Sequence, residues 1–213
     1  DHQGIYTSYS YFSSGKKVQI ILLDLRTFRD NLKPYDGFLE GDSLHNYTLD
    51  YSPQTSPDST LLGAEQWKWL ESQLLKPADL RIIGSSTQFA TEYNGYETWA
   101  NYPSEQTRFL ELIKKTKANG IVFISGDLHY AELSYIKPEG MYGIYDLTSS
   151  GLTENWGFSV PNENRIGVPV MDNQFGMIQF HLNAPEPYIV LEIIDRNNQT
   201  RIQQEVRLST LHF

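Results

Sequence analysis

The sequence predicts an α/β fold in which helices flank a mixed sheet and β-hairpins close the chain. Two observations predict it. Three short apolar runs of strand length, at residues 18–25, 80–85 and 120–125, are separated by two stretches with helical spacing, at 62–75 and 103–117. Past residue 130 helical spacing does not return and short strand patterns follow one another, which adds antiparallel pairs to a parallel centre. The 213 residues are 39% hydrophobic and 13% aromatic, enough for one buried core. With no internal repeat and no low-complexity linker, they read as a single domain over 1–213.

The elements follow in order. Residues 5–12 (IYTSYSYF) alternate as a half-exposed strand does, and 13–16 form a turn. Residues 18–25 (VQIILLDL) are a nearly continuous apolar run, the pattern of a strand covered on both faces. Residues 31–59, rich in Asp, Asn, Ser, Pro, Gly and Tyr, read as one long loop that shapes a pocket. Leu62, Trp67, Leu70 and Leu74 make one stripe of the first helix, which Pro77 stops. Residues 80–85 are a strand and 86–101 a loop. The second helix turns Phe109, Leu110 and Ile113 inward and ends at Gly120. After the strand at 120–125, further strands fall at 142–148, 175–182, 188–195 and 202–208, with a hairpin turn at Asn197-Asn198.

Composition excludes several function classes. Seventeen Lys and Arg stand against 26 Asp and Glu, a net charge of −9, which disfavours binding nucleic acid or anionic membrane for its own sake. The absence of cysteine excludes disulfide scaffolds, thiolate metal sites and thiol catalysis. No apolar run approaches the roughly 20 residues of a membrane span, and no signal peptide opens the chain. Asp1-His2-Gln3-Gly4 has no Met, so the chain is expected to be processed, cut or preceded by an upstream part.

Three strand ends carry candidate chemistry. In Ser125-Gly126-Asp127-Leu128-His129 a glycine is followed by a carboxylate and an imidazole at i, i+2. On extended backbone these would point the same way and offer hard and borderline metal donors. The competing reading is a surface turn with an exposed His. At Asp24-Leu25-Arg26, with Arg29-Asp30 beyond it, an arginine could clamp an anion, though an internal ion pair of Asp24 with one of the arginines is the favoured reading. At Gly84-Ser85-Ser86-Thr87-Gln88, Ser86 and Gln88 could face a substrate oxygen; the surrounding sequence is not a G-x-S-x-G nucleophile elbow. Trp99 and Trp156 lie in loops that could line a pocket, with packing the ordinary role.

Taken together, these segments resemble the C-terminal half of the catalytic domain of PhoD-like alkaline phosphatases, a branch of the calcineurin-like metallophosphoesterases. The matching stretches run in the family's order: GIYTSYSYF at 4–12, VQIILLDLRTFRD at 18–30, LLGAEQWKWLESQL at 61–74, RIIGSSTQF at 81–89, ETWANYPSEQTRFLELI at 97–113, GIVFISGDLHYAEL at 120–133, YDLTSSGLT at 145–153 and FGMIQF at 175–180. The GDLH segment is similar to the superfamily's final GHxH motif, with Asp127 in place of the first His.

The resemblance implies half of a four-layer α-β-β-α sandwich and a metal-dependent phosphomonoesterase or phosphodiesterase. It implies that Asp127 and His129 are ligands in a dinuclear site of iron and calcium, with manganese or zinc as alternatives, where a metal-activated hydroxide attacks phosphorus. Arg26, Ser86, Gln88 and Trp99 are then expected near the substrate. The family's earlier metal motifs are not found in residues 1–213, and Asp1-His2 lies too close to GIY to be one of them. The N-terminal half is therefore expected as a partner outside this chain, with an exposed apolar inner face where it would pack. The family's habit of export implies an extracytoplasmic location. The alternative is a non-catalytic binding or subunit module that keeps the fold.

Overall fold

A computed structural model describes residues 3–35 and 50–213. In chain order, β1 (Thr7–Ser13) and β2 (Lys16–Leu22) are followed by the two-residue strands β3 (Lys33–Pro34) and β4 (Tyr51–Ser52), then α1 (Gly63–Leu74) and β5 (Leu80–Gly84). A 3₁₀ turn at Trp99–Asn101 leads into α2 (Pro103–Thr116), β6 (Ile121–Ser125), β7 (Ala131–Ile136), β8 (Ile144–Ser149) and β9 (Arg165–Val170). The chain closes with β10 (Gln174–His181), β11 (Tyr188–Asp195), β12 (Thr200–Arg207) and a 3₁₀ turn at Leu208–Leu211. Residues 36–49 of the long loop expected at 31–59, together with Asp1-His2, lie outside the described residues; β3 and β4 pair on either side of them.

The main sheet has the order β1-β2-β5-β6-β8-β7-β9. Its centre is parallel, β2 to β5 to β6 to β8, and its flanks are antiparallel, which is the mixed sheet expected. Register sets Leu22 beside Gly84, Gly84 beside Ile124, and Ser125 beside Thr148. The segments that follow β2, β5 and β6 therefore leave from one carboxyl-end edge, where open α/β sheets place their ligands. All three candidate strand ends lie along it.

The helices cover one face. Gln19 of β2 donates from Nε2 to the carbonyl of Gln73 in α1 at 3.4 Å. Phe123 of β6 stacks on Phe89 at 4.1 Å and meets Phe109 of α2 edge-on. The three-stranded sheet β10-β11-β12 packs on the other face, with β10 against β8 and β7. There Gly176 lets β10 approach closely, since a Cβ would lie 3.1 Å from that of Ser149.

The inner face is thus partly covered by the chain's own second sheet, rather than bare as expected. What stays open is a groove of about 580 Å³ over the β2–β5–β6 end, whose walls include Leu22, Ile124, Leu152, Phe175 and Ile178. Leu22, Leu152 and Phe175 are exposed there. Three layers are present; a fourth is not seen among the described residues.

Two strands of the main sheet escape the sequence reading. In β7, apolar and polar residues alternate, but Ala131, Glu132, Leu133 and Ser134 are all buried, so burial does not follow polarity. In β9, Gly167 has φ +76° and Pro169 interrupts the run, signals that argue against a strand away from an edge. The second helix ends where its spacing at 103–117 does, but Lys117 rather than Gly120 takes the left-handed conformation at its end, with φ +51°. Gly120 instead permits a close approach between segments, since a Cβ on it would sit 2.3 Å from the Asp79 carbonyl oxygen.

Candidate functional site

The site is a turn at the end of β6. Asp127 has φ +78° and His129 φ +54°, both in the region that side-chain-bearing residues avoid. The backbone is therefore not extended, and the alternation argument for a shared direction does not hold. Gly126 is not the left-handed residue, so the glycine supplies no unusual angle here. Buried Leu128 and Tyr130 anchor the turn from below. His129 donates its backbone N–H to Ser150 Oγ at 2.9 Å, and its carbonyl accepts from the Trp156 N–H at 3.2 Å. Ser150 in turn lies 3.4 Å from the Tyr130 carbonyl. Strained backbone of this kind persists only where its surroundings over-determine it, and clusters at functional sites.

Two side-chain walls flank the turn. On one, the His129 ring lies 5.5 Å from Trp156, which meets Tyr96 at 5.5 Å and stacks on Phe158 at 5.3 Å. On the other, Arg26 Nη1 lies 2.5 Å from Glu97 Oε1, and the same oxygen receives Arg29. Arg26 Nη2 stands 3.8 Å from Asp127 Oδ1. The partial withdrawal of the Asp127 carboxyl from water raises its pKa, and the Glu97 charge adds to that; Arg26, His129 and Arg29 oppose them, and the net direction is upward.

Asp24 does not pair with an arginine side chain. Its oxygens accept from Ile5 N, Arg26 N, Thr27 N and Thr27 Oγ1 at 2.7–2.9 Å, so it folds the turn that aims Arg26.

The other expected residues scatter. Ser86 is exposed and lines the groove. Gln88 is buried and donates to Glu132 Oε1 at 2.6 Å and Thr148 Oγ1 at 2.9 Å. Trp99 corrects the expectation of a pocket-lining residue. It is wholly buried against Phe89 and Phe109, with its indole N–H on Ser85 Oγ at 3.0 Å, because the core below the 3₁₀ turn needs a large ring with one satisfied polar atom.

Beneath the turn, Ser125 Oγ donates to Asp146 Oδ1 at 2.7 Å and lies 2.9 Å from Thr148 Oγ1. Complete burial pushes the Asp146 carboxyl up, against bonds from Ser125 and the amides of Ala90 and Phe89. Sequence reasoning missed Glu97 and Ser150. Ser150 was visible as part of the TSSG run; nothing local marked Glu97, which meets arginines 68 and 71 positions away.

Do these residues suit a metal ion? His129 Nδ1 is buried and has no hydrogen-bond partner among the described residues, and Asp127 offers a carboxylate beside it. Both are suitable donor types. Among the described residues, however, no group of three His, Cys, Asp or Glu could hold an ion. The turn fits a share of a coordination sphere.

Known proteins share this arrangement of segments. A family described as PhoD-like phosphatase matches residues 1–183. The sequence is 28% identical over 130 residues to Alkaline phosphatase D of Bacillus subtilis (strain 168), an alignment covering 57% of this chain and 21% of that protein. The solved "Structure of PhoD" superposes with a TM-score of 0.59 at 18% identity, covering 95% of this chain and 44% of its own. "GAP50 the anchor in the inner membrane complex of Plasmodium" also gives 0.59, at 15% identity, covering 95% of this chain and 54% of its own. The chain thus spans about a fifth of its curated relative and about half of these two structures.

Proposed function

The chain belongs to the PhoD-like phosphatase family, and from that membership we propose that it carries part of the active site of a metal-dependent phosphate-ester hydrolase. One observation supports the assignment of the site above the rest: Asp127 and His129, both held in left-handed backbone, sit at the carboxyl end of a central parallel strand. In this reading Asp127 gives a carboxylate oxygen and His129 a ring nitrogen to a two-ion site of iron and calcium, with manganese or zinc as substitutes. When bound, the ions supply Lewis acidity toward the phosphoryl oxygens. Ser150 fixes the His129 backbone, Arg26 offers a guanidinium to the phosphate, and the aromatic wall at Trp156 sheds water from one side.

The remaining ligands lie outside the described residues in this reading. The rest of a four-layer α-β-β-α sandwich then continues over the open groove, in keeping with the greater length of the relatives. The substrates are phosphate mono- or diesters. The family resemblance favours an extracytoplasmic setting; among the described residues no helix is long and apolar enough to cross a membrane.

The test is elemental analysis and turnover on the full-length protein. Asp127→Ala and His129→Ala should each lose bound metal and, with it, at least about 100-fold in rate. Full metal content and full activity in both variants would sink the assignment. The absence of a three-ligand group among the described residues favours a second reading, a non-catalytic module of the same fold. A metal-free full-length protein without phosphatase activity would decide for it.

A further inference from the structure

The arginine pair adds a property that the two metal donors do not supply. Arg26 and Arg29 converge on one carboxylate oxygen, Glu97 Oε1. The Glu97 and Arg29 side chains are mostly covered, at 17% and 20% exposure, whereas Arg26 is 48% exposed and reaches within 3.8 Å of Asp127. Arg29 and Glu97 thus form a covered strut, and Arg26 is the guanidinium it presents to the site. Two guanidiniums against the carboxylates of Glu97 and Asp127 leave this rim locally balanced, in a chain whose net charge of −9 would otherwise repel phosphate. The strut is also coupled to the opposite wall: Tyr96, next in sequence to Glu97, packs on Trp156, which packs on His129.

We propose that Arg26 is a specificity-determining residue for the terminal, dianionic phosphate of monoesters, and that Glu97, with Arg29, is the positioning residue that holds it. The inference rests on the phosphoesterase reading of the Asp127 and His129 turn. Its chemistry is direct. A monoester offers one more unsubstituted oxygen and one more negative charge than a diester with the same leaving group. A guanidinium fork at the rim binds that oxygen and charge, and gains little from a diester whose corresponding oxygen carries carbon.

The experiment uses the full-length protein with 4-nitrophenyl phosphate and its methyl diester, which share a leaving group. Arg26→Gln is expected to lower kcat/KM for the monoester by about 30-fold and for the diester by less than about 3-fold. It is also expected to raise the inhibition constant of inorganic phosphate about tenfold. Arg26→Lys should recover only part of the monoester rate, because an ammonium keeps the charge without the fork. Glu97→Gln should raise KM for the monoester more than it lowers kcat.

Equal losses on both esters in Arg26→Gln, with unchanged phosphate inhibition, overturn the inference. Asp127→Ala run in parallel separates the two levels. If it abolishes both activities while Arg26→Gln leaves their ratio unchanged, only the specificity role fails. If Asp127→Ala retains both activities, the site assignment fails with it. A wild-type protein that turns over neither ester overturns both.

Discussion

At Asp24 a single buried carboxylate sets the shape of the loop that carries Arg26. Burial alone would raise its pKa, but the hydroxyl and amide of Thr27 and the amides of Ile5 and Arg26 outweigh that and hold it at about 2. An unfolded chain gives the same group a value near 3.9. The folded value is the lower one, so its stabilisation is complete above about pH 4 and drains away as the pH falls toward 2. Asp24→Asn should therefore cost about 2 kcal/mol at pH 7, with the gap to wild type closing by pH 2, as urea midpoints across that range would report. A constant gap over the range contradicts the linkage. The same residue marks how far the site could be read from sequence. Asp24, Arg26, Asp127 and His129 stood out because they end buried strands. Their partners did not: Asp24 takes backbone donors, which no residue type announces, and Glu97 acts across about 70 positions of chain. Trp99 packs into the core, its ordinary role, and not near the substrate as the resemblance implied.

At the scale of the elements, the joint between the two helices depends on Glu105 at the start of α2. The first turn of α1 has no side-chain cap of its own. Glu105, almost wholly buried, reaches across instead: Oε2 accepts from Leu61 N, Leu62 N, Thr60 Oγ1 and the Trp67 indole N–H at 2.7–3.2 Å. Arg108, stacked on the Trp67 ring, lies 3.4 Å from Oε1. Glu105→Gln keeps the volume and one acceptor but turns the second into a donor, stranding buried N–H groups at a cost of about 3 kcal/mol. A chemical-denaturation midpoint measures the loss. Trp67→Phe in the same background should be markedly less than additive, since the two side chains share one bond network. Elements of this kind were legible where periodicity was clean. Both helices and the strands at β1, β2, β5, β6, β8, β10, β11 and β12 fall where the pattern puts them, to within a few residues. The exceptions in the main sheet, β7 and β9, are strands whose burial is set by tertiary partners. Glu132 of β7 is fully buried because it holds Arg165 of β9, and no local rule places a charged pair inside a sheet.

For the molecule as a whole, the open groove carries the last prediction. Its walls put Leu22, Leu152 and Phe175 on the surface at 39%, 68% and 44% exposure, beside the strand ends that form the site. Single exposed apolar residues need no explanation, but three around one concavity at the edge of the main sheet do. If the sandwich continues over this face in a longer protein, these side chains are core residues there and surface residues in the 213-residue chain. A triple variant, Leu22→Ser, Leu152→Ser and Phe175→Ser, separates the two cases. In the 213-residue chain it should change the unfolding free energy by less than about 1 kcal/mol and raise the monomeric fraction seen by analytical ultracentrifugation, because little apolar area is uncovered. In the full-length protein it should cost about 3 kcal/mol or more, through lost burial and the cavities left behind. Equal, small effects in both would mean that the groove faces water in the intact molecule. The covering layer, and the route for further metal ligands to Asp127 and His129, would then have to be sought on another face.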